Sequence, residues 1–114
     1  MTVEILTGKI NGQLVTKPPK NGDMPDFAFA SDLMSDVLTI EDQSPMLITG
    51  LSNLQTIRTA EMADIHVILL ARGKKASKEM ITLANENNIT IIETTFSVFR
   101  TSGILYNAGV KPIF

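Results

Sequence analysis

The sequence predicts an α/β domain in three layers, with helices on both faces of a largely parallel sheet, spanning residues 1–114 as one unit. From Asp26 onward, short apolar runs alternate with stretches of helical period, the pattern left by strand–helix–strand units. Within that pattern, Val67 to Ala71 is apolar at consecutive positions, as a central strand covered on both faces requires; a half-solvated strand would alternate. At 114 residues, with 44% apolar and 19% charged side chains, the chain can bury about two-thirds of its unfolded surface around one core. That composition excludes a disordered or fibrous chain, and at this length a single domain is expected.

Each element follows in order. Residues 1–26 are dense in breakers, with Gly8, Gly12, Pro18, Pro19, Gly22 and Pro25. Two short strands are expected there, Val3–Thr7 and one near Gln13–Thr16, followed by a surface loop over Lys17–Asp23 whose two lysines face solvent. Phe27–Ala30 is the next strand. Ser31 is placed to cap a helix over Asp32–Thr39, with Asp32 in its first turn and Leu33, Met34, Val37 and Leu38 along its apolar side. Pro45 precedes the strand Met46–Thr49, and Gly50–Asn53 turns into a helix carrying Leu51, Leu54, Ile57 and Ala60 at every third position. After that helix ends near Ala63, His66–Leu70 is the buried strand, and Arg72–Lys75 is its loop.

Ser77 caps the following helix, in which Met80, Ile81 and Ala84 face inward, and Asn87-Asn88 tolerates the left-handed backbone of a helix end. Ile89–Ile92 is another strand. Thr94 or Thr95 is expected to cap a last helix with Val98, Phe99, Leu105 and Tyr106 on one side, closed by Gly109. Pro112 suits the tail Val110–Phe114 to a sheet edge, where a missing N–H costs nothing.

Charge and composition narrow the chemistry. Ten basic against twelve acidic side chains give a net charge of −2, which provides no field favouring nucleic acid or an anionic membrane. With no cysteine there is no disulfide, thiolate nucleophile or cysteine metal site, and the cytoplasm is the expected compartment. Met1–Glu4 has neither part of a secretory signal, and Val67–Ala71 is far too short to cross a membrane. A phosphate-binding loop fails at Gly73-Lys74, because Ile68 stands where its first glycine would be. The spaced glycines of a dinucleotide-binding turn are also absent, so no cofactor is expected.

His66, the lone histidine, reads first as a buried, hydrogen-bonded structural imidazole and second as a ligand. Asp32 and Asp36, four apart on the expected helix, read as a dipole partner and a solvated face, or alternatively as a cation or acid–base pair. No metal site is expected from either. Polar residues instead collect in loops that leave the carboxyl ends of the strands, where open α/β sheets bind ligands and helix starts offer free N–H groups to anions. The candidate ligand set is Ser31 and Asp32 after the first such strand and Thr49 and Asn53 after the second. It continues with Arg72, Gly73 and Lys74 after the third and Thr94 after the fourth. Capping accounts for the single Ser, Thr and Asn residues but not for the cationic cluster.

From Phe27 to Gly109 these pieces stand in a suggestive order. Ala30-Ser31-Asp32-Leu33-Met34-Ser35-Asp36-Val37 is followed by Ile48-Thr49 with Asn53, then by His66–Leu70 with Gly73. Ala84–Ile89 and Gly103-Ile104-Leu105-Tyr106-Asn107-Ala108-Gly109 complete the series. In this order and spacing the sequence resembles the DRTGG domain family in its small stand-alone form. The resemblance implies a fold like the N-terminal domain of HPr kinase/phosphatase and of Mur ligases, without a kinase core. It also implies a regulatory or adaptor role in which related domains lie between subunits. The naming string itself is replaced by Ala71-Arg72-Gly73-Lys74, and the helix that usually opens such domains is not read here.

The favoured function is a non-catalytic regulatory module that dimerises and binds a small anionic ligand, a nucleotide or phosphorylated metabolite. The alternatives are an interaction module for a neighbouring metabolic enzyme, or a small enzyme using Asp32 and Asp36 with Arg72 and Lys74 on a phosphorylated substrate. The enzyme reading lacks a nucleophile–base pair. The expected homodimer interface is Leu33, Met34 and Val37, because one narrow stripe of sheet cannot cover so apolar a short helix.

Overall fold

The opening segment shows how local capping overrides residue type. In the computed structural model, which describes residues 1–41 and 43–114, Val3–Lys9 is helix α1 and not the expected strand. The Thr2 side chain caps it by accepting from the Ile5 N–H at 3.2 Å, and Val3, Leu6 and Ile10 recur at helical period on its buried side. Strand β1, Gln13–Leu14, is where it was expected but shorter. Then come β2 (Phe27–Ala30), α2 (Met34–Val37), β3 (Met46–Thr49), α3 (Leu54–Met62) and β4 (Val67–Leu70). The chain closes with α4 (Lys78–Glu86), β5 (Thr90–Glu93), α5 (Val98–Asn107) and β6 (Lys111–Pro112).

The sheet has six strands in the order β1-β5-β4-β3-β2-β6, all parallel except β1, which runs antiparallel to β5. Strands β2 to β5 are laid down in sequence as spatial neighbours, so α2, α3 and α4 all cross over on one face. There Val37, Ile57 and Met80 pack with Leu47, Ile68, Leu70 and Ile91. Helix α5 must return from β5 to β6 beyond the far side of β2, and it takes the other face with α1, where Leu6, Ile10 and Leu105 meet Met46, Ile48, Leu69 and Ile92. The three-layer, largely parallel prediction holds, with β3 and β4 buried at every residue.

Several local expectations are corrected. Helix α2 is a single turn with Leu33 at its N-cap, shorter than Asp32–Thr39; Ser31 instead accepts from the Leu33 N–H at 3.0 Å and forms a turn. Asp32 therefore lies outside the helix, and it does not share a helical face with Asp36. Val37 is fully buried in the core, which removes it from any interface, while Leu33 is 58% exposed. Helix α5 is capped by Ser97, not by Thr94 or Thr95, and its inward residues are Thr101 and Leu105, whereas Phe99 and Tyr106 point to solvent. His66 is exposed rather than buried. Ser77, Asn88 at φ +56° and Gly109 at φ +99° take the capping and helix-ending roles expected of them.

Candidate functional site

Chain direction decides where a crevice can form. After β4 the chain turns to α4 on one face, and after neighbouring β5 it turns to α5 on the other; ligands of open α/β sheets gather outside such diverging strand ends. In this molecule the two loops meet. The Arg72 N–H donates to the Phe96 carbonyl at 2.7 Å and the Gly73 N–H to the Thr94 carbonyl at 3.0 Å. Both donors come from residues in the left-handed region, Arg72 at φ +62° and Gly73 at φ +74°. Glycine adopts that conformation freely, whereas arginine is strained there.

The neighbouring loops converge on the same place. The Asp32 carboxylate accepts from the Thr49 hydroxyl at 2.8 Å and from the Gly50 N–H at 2.7 Å, tying the end of β2 to the end of β3. A Cβ built on Gly50 would lie 3.5 Å from Asp32 Oδ2 and 3.9 Å from Arg72 Nε, so both side chains border this buried glycine. Lys75 pairs with Glu93 at 3.4 Å, and Glu93 also accepts from the Ala76 N–H at 2.8 Å. Among the described residues Arg72 and Lys74, on the loop after β4, have no ion pair, and neither has Arg100 in the first turn of α5, whose guanidinium stacks 3.7 Å over the Phe96 ring.

The expected site residues thus separate. Asp32, Thr49, Arg72 and Gly73 come together; Lys74 is exposed on the same loop. Asn53 is the N-cap of α3 and spends its oxygen on the Thr56 N–H at 3.1 Å. Thr94 is 3% exposed; its hydroxyl donates to the Ile10 carbonyl at 2.6 Å and accepts from the Phe96 N–H at 3.1 Å, so its role is to fasten α1 and the β5 loop.

Sequence reasoning missed the opposite edge. A cleft of about 580 Å³ opens at the amino ends of β4 and β5, bordered by the loop over residues 19–25, by Gln43 and Ser44, and by His66 and Asn88. Asp64 stands beside it, accepting from Ser44 Oγ at 3.2 Å and lying 2.9 Å from His66 Nε2. Serine and histidine both bond the carboxylate instead of each other, so this trio does not form a base-activated nucleophile. A smaller apolar hollow of about 170 Å³ lies between β2, β6 and α5.

No family model and no curated protein sequence matches the chain. A solved structure does. It is the regulatory region of a Clostridium perfringens pyrophosphatase, comprising CBS and DRTGG domains, complexed with its activator diadenosine tetraphosphate. The two superpose with a TM-score of 0.74 at 18% identity over 98% of this chain and 48% of that one. The chain shares that fold and spans about half the length of that structure, in agreement with the DRTGG resemblance of the sequence.

Proposed function

We propose that this domain is a non-catalytic regulatory module that binds a small anionic ligand, a nucleotide or phosphorylated metabolite, at the carboxyl edge of its sheet. The observation that carries the reading is Arg72. Its backbone, at φ +62°, is held by paired loop hydrogen bonds at the point where the chain diverges to opposite faces, which fixes a cation at this edge beside Gly50 and Asp32. Its guanidinium offers forked, charge-assisted donors suited to phosphate. Lys74 adds a second cation, and the Asp32 carboxylate accepts two hydrogen bonds, from the Thr49 hydroxyl and the Gly50 N–H, which offset part of its repulsion of an anion. The likeness to a regulatory region complexed with an activating dinucleotide supports a regulatory role and a nucleotide-class ligand.

Calorimetric titration with mono- and dinucleotides, diadenosine tetraphosphate included, tests this. Wild type binds at least one, and Arg72→Ala with Lys74→Ala weakens it by about tenfold or more, equivalent to about 1.4 kcal/mol. Absence of binding, or affinity unchanged by the substitutions, refutes the site. A second reading, an interaction module for a partner enzyme or a second copy of the chain, is favoured by the exposed Leu33 and Leu38 flanking α2.

A further inference from the structure

The cleft at the amino edge is a built feature whose walls are tied down. Its outer wall, the loop over residues 17–26, contains the segment Lys17–Asp23 that the sequence reads as a surface loop, and it is fastened at both ends. The Lys17 N–H donates to Asn85 Oδ1 at 2.9 Å, the Thr90 hydroxyl to the Lys17 carbonyl at 3.3 Å, and the Met24 N–H to the Met1 carbonyl at 2.8 Å. The Val3 N–H also donates to Gly22 at 3.0 Å. These bonds hold the loop across the starts of β4 and β5, and the open cleft they border has a volume in the range of small-molecule sites.

The lining is chemically specific. One wall is apolar, formed by Pro19, Met24, Pro25 and Val67. His66 also lines the cleft, tied to Asp64 at 2.9 Å; bordering it besides are the cation Lys20, the carboxylate Asp23 and the amide of Asn88. Among the described residues these three side chains bond to nothing else in the protein. Lys20 lies within, and Asp23 just beyond, a tight turn closed by the Gly22 N–H on the Pro19 carbonyl at 3.0 Å, and their opposite charges suit a ligand that itself carries both signs. A multiply charged phosphate would meet the Asp23 carboxylate and gain only one full cation.

We propose that the amino-edge cleft binds a small zwitterion of the amino acid or dipeptide class. Its carboxylate pairs with Lys20, its ammonium pairs with Asp23, and its side chain lies against Pro19, Met24 and Val67. This site is independent of the carboxyl-edge reading, since the two share no residue.

The test is a titration of the full chain followed by amide chemical shifts. The probes are each proteinogenic amino acid alone and alanylalanine, with AMP and inorganic phosphate as comparators. An amino acid or the dipeptide shifts the amides of Asn21, Val67, Asn88 and Thr90. Lys20→Gln and Asp23→Asn each weaken that binding about tenfold. Asn88→Gly keeps the left-handed backbone while deleting the amide, so its weaker binding is not a folding defect. The proposal is overturned if no zwitterion shifts these amides at roughly 10 mM. It is equally overturned if AMP or phosphate shifts them more strongly, or if the charge variants bind as tightly as wild type.

Discussion

Three residues show how strain and hydrogen bonding divide structural from functional roles. Arg72 occupies a conformation that costs an L-residue about 1–2 kcal/mol, part of which glycine recovers. Arg72→Gly is therefore expected to raise stability by about 1 kcal/mol in urea unfolding while removing anion binding; lower stability with unchanged binding would make Arg72 a structural residue. Thr94 is the converse case. Thr94→Val strips the buried Ile10 carbonyl and Phe96 N–H of their partner and should cost about 1–3 kcal/mol, Thr94→Ser recovering most of it, with no direct effect on ligand contact. Gly12 is a packing case: a Cβ there would stand 2.8 Å from Ile92 Cγ2 and 3.3 Å from the Glu93 carbonyl, so Gly12→Ala should destabilise by about 1–3 kcal/mol on thermal melting.

At the scale of elements, α5 carries two buried polar atoms that no described residue bonds, Thr101 Oγ1 and Ser102 Oγ. Thr101 is fully buried and its Oγ1 has no partner among the described residues, so Thr101→Val, of equal shape, should be neutral or stabilising by about 1 kcal/mol in the same melts. A loss above that would reveal a hydrogen bond to the hydroxyl. The elements that sequence reading located well, β2 to β5 with α3 and α4, are those whose apolar runs, caps and breakers agree. Asn53 and Ser77 cap as their positions suggest, and consecutive apolar residues mark β3 and β4 as doubly covered. The strand expected over Val3–Thr7 is a helix because five residues cannot separate a period of two from one of 3.6; the helical signal is Thr2 with Val3, Leu6 and Ile10. Phe99 and Tyr106 misled because apolar character was taken for burial. The proposed carboxyl-edge site is legible in part, since strand order places Asp32, Thr49 and Arg72 together. The amino-edge cleft was not, because contacts between Lys17 and Asn85 or Thr90 span most of the chain and leave no local pattern.

For the molecule as a whole, the layout of its edges restricts how it can associate. Both outer strands are two residues long, and β6 contains Pro112, which cannot donate to a further strand, so pairing of sheets edge to edge is disfavoured. Association has to use helical faces. Near α2, Leu33 and Leu38 are 58% and 49% exposed, while Met34 is half-buried against the core that holds Val37, so an apolar surface sits on a firmly packed base. The expected outcome is a two-fold dimer through Leu33 and Met34, detectable by sedimentation velocity at roughly 10–100 µM. Leu33→Glu should shift the chain to monomer while leaving its own stability within about 0.5 kcal/mol, because a side chain more than half exposed contributes little to the monomer's core. Wild type sedimenting as a monomer across that range would refute this interface, and so would a Leu33→Glu variant that remains dimeric. In the second case the exposed Phe99 and Tyr106 on α5 become the face to mutate next.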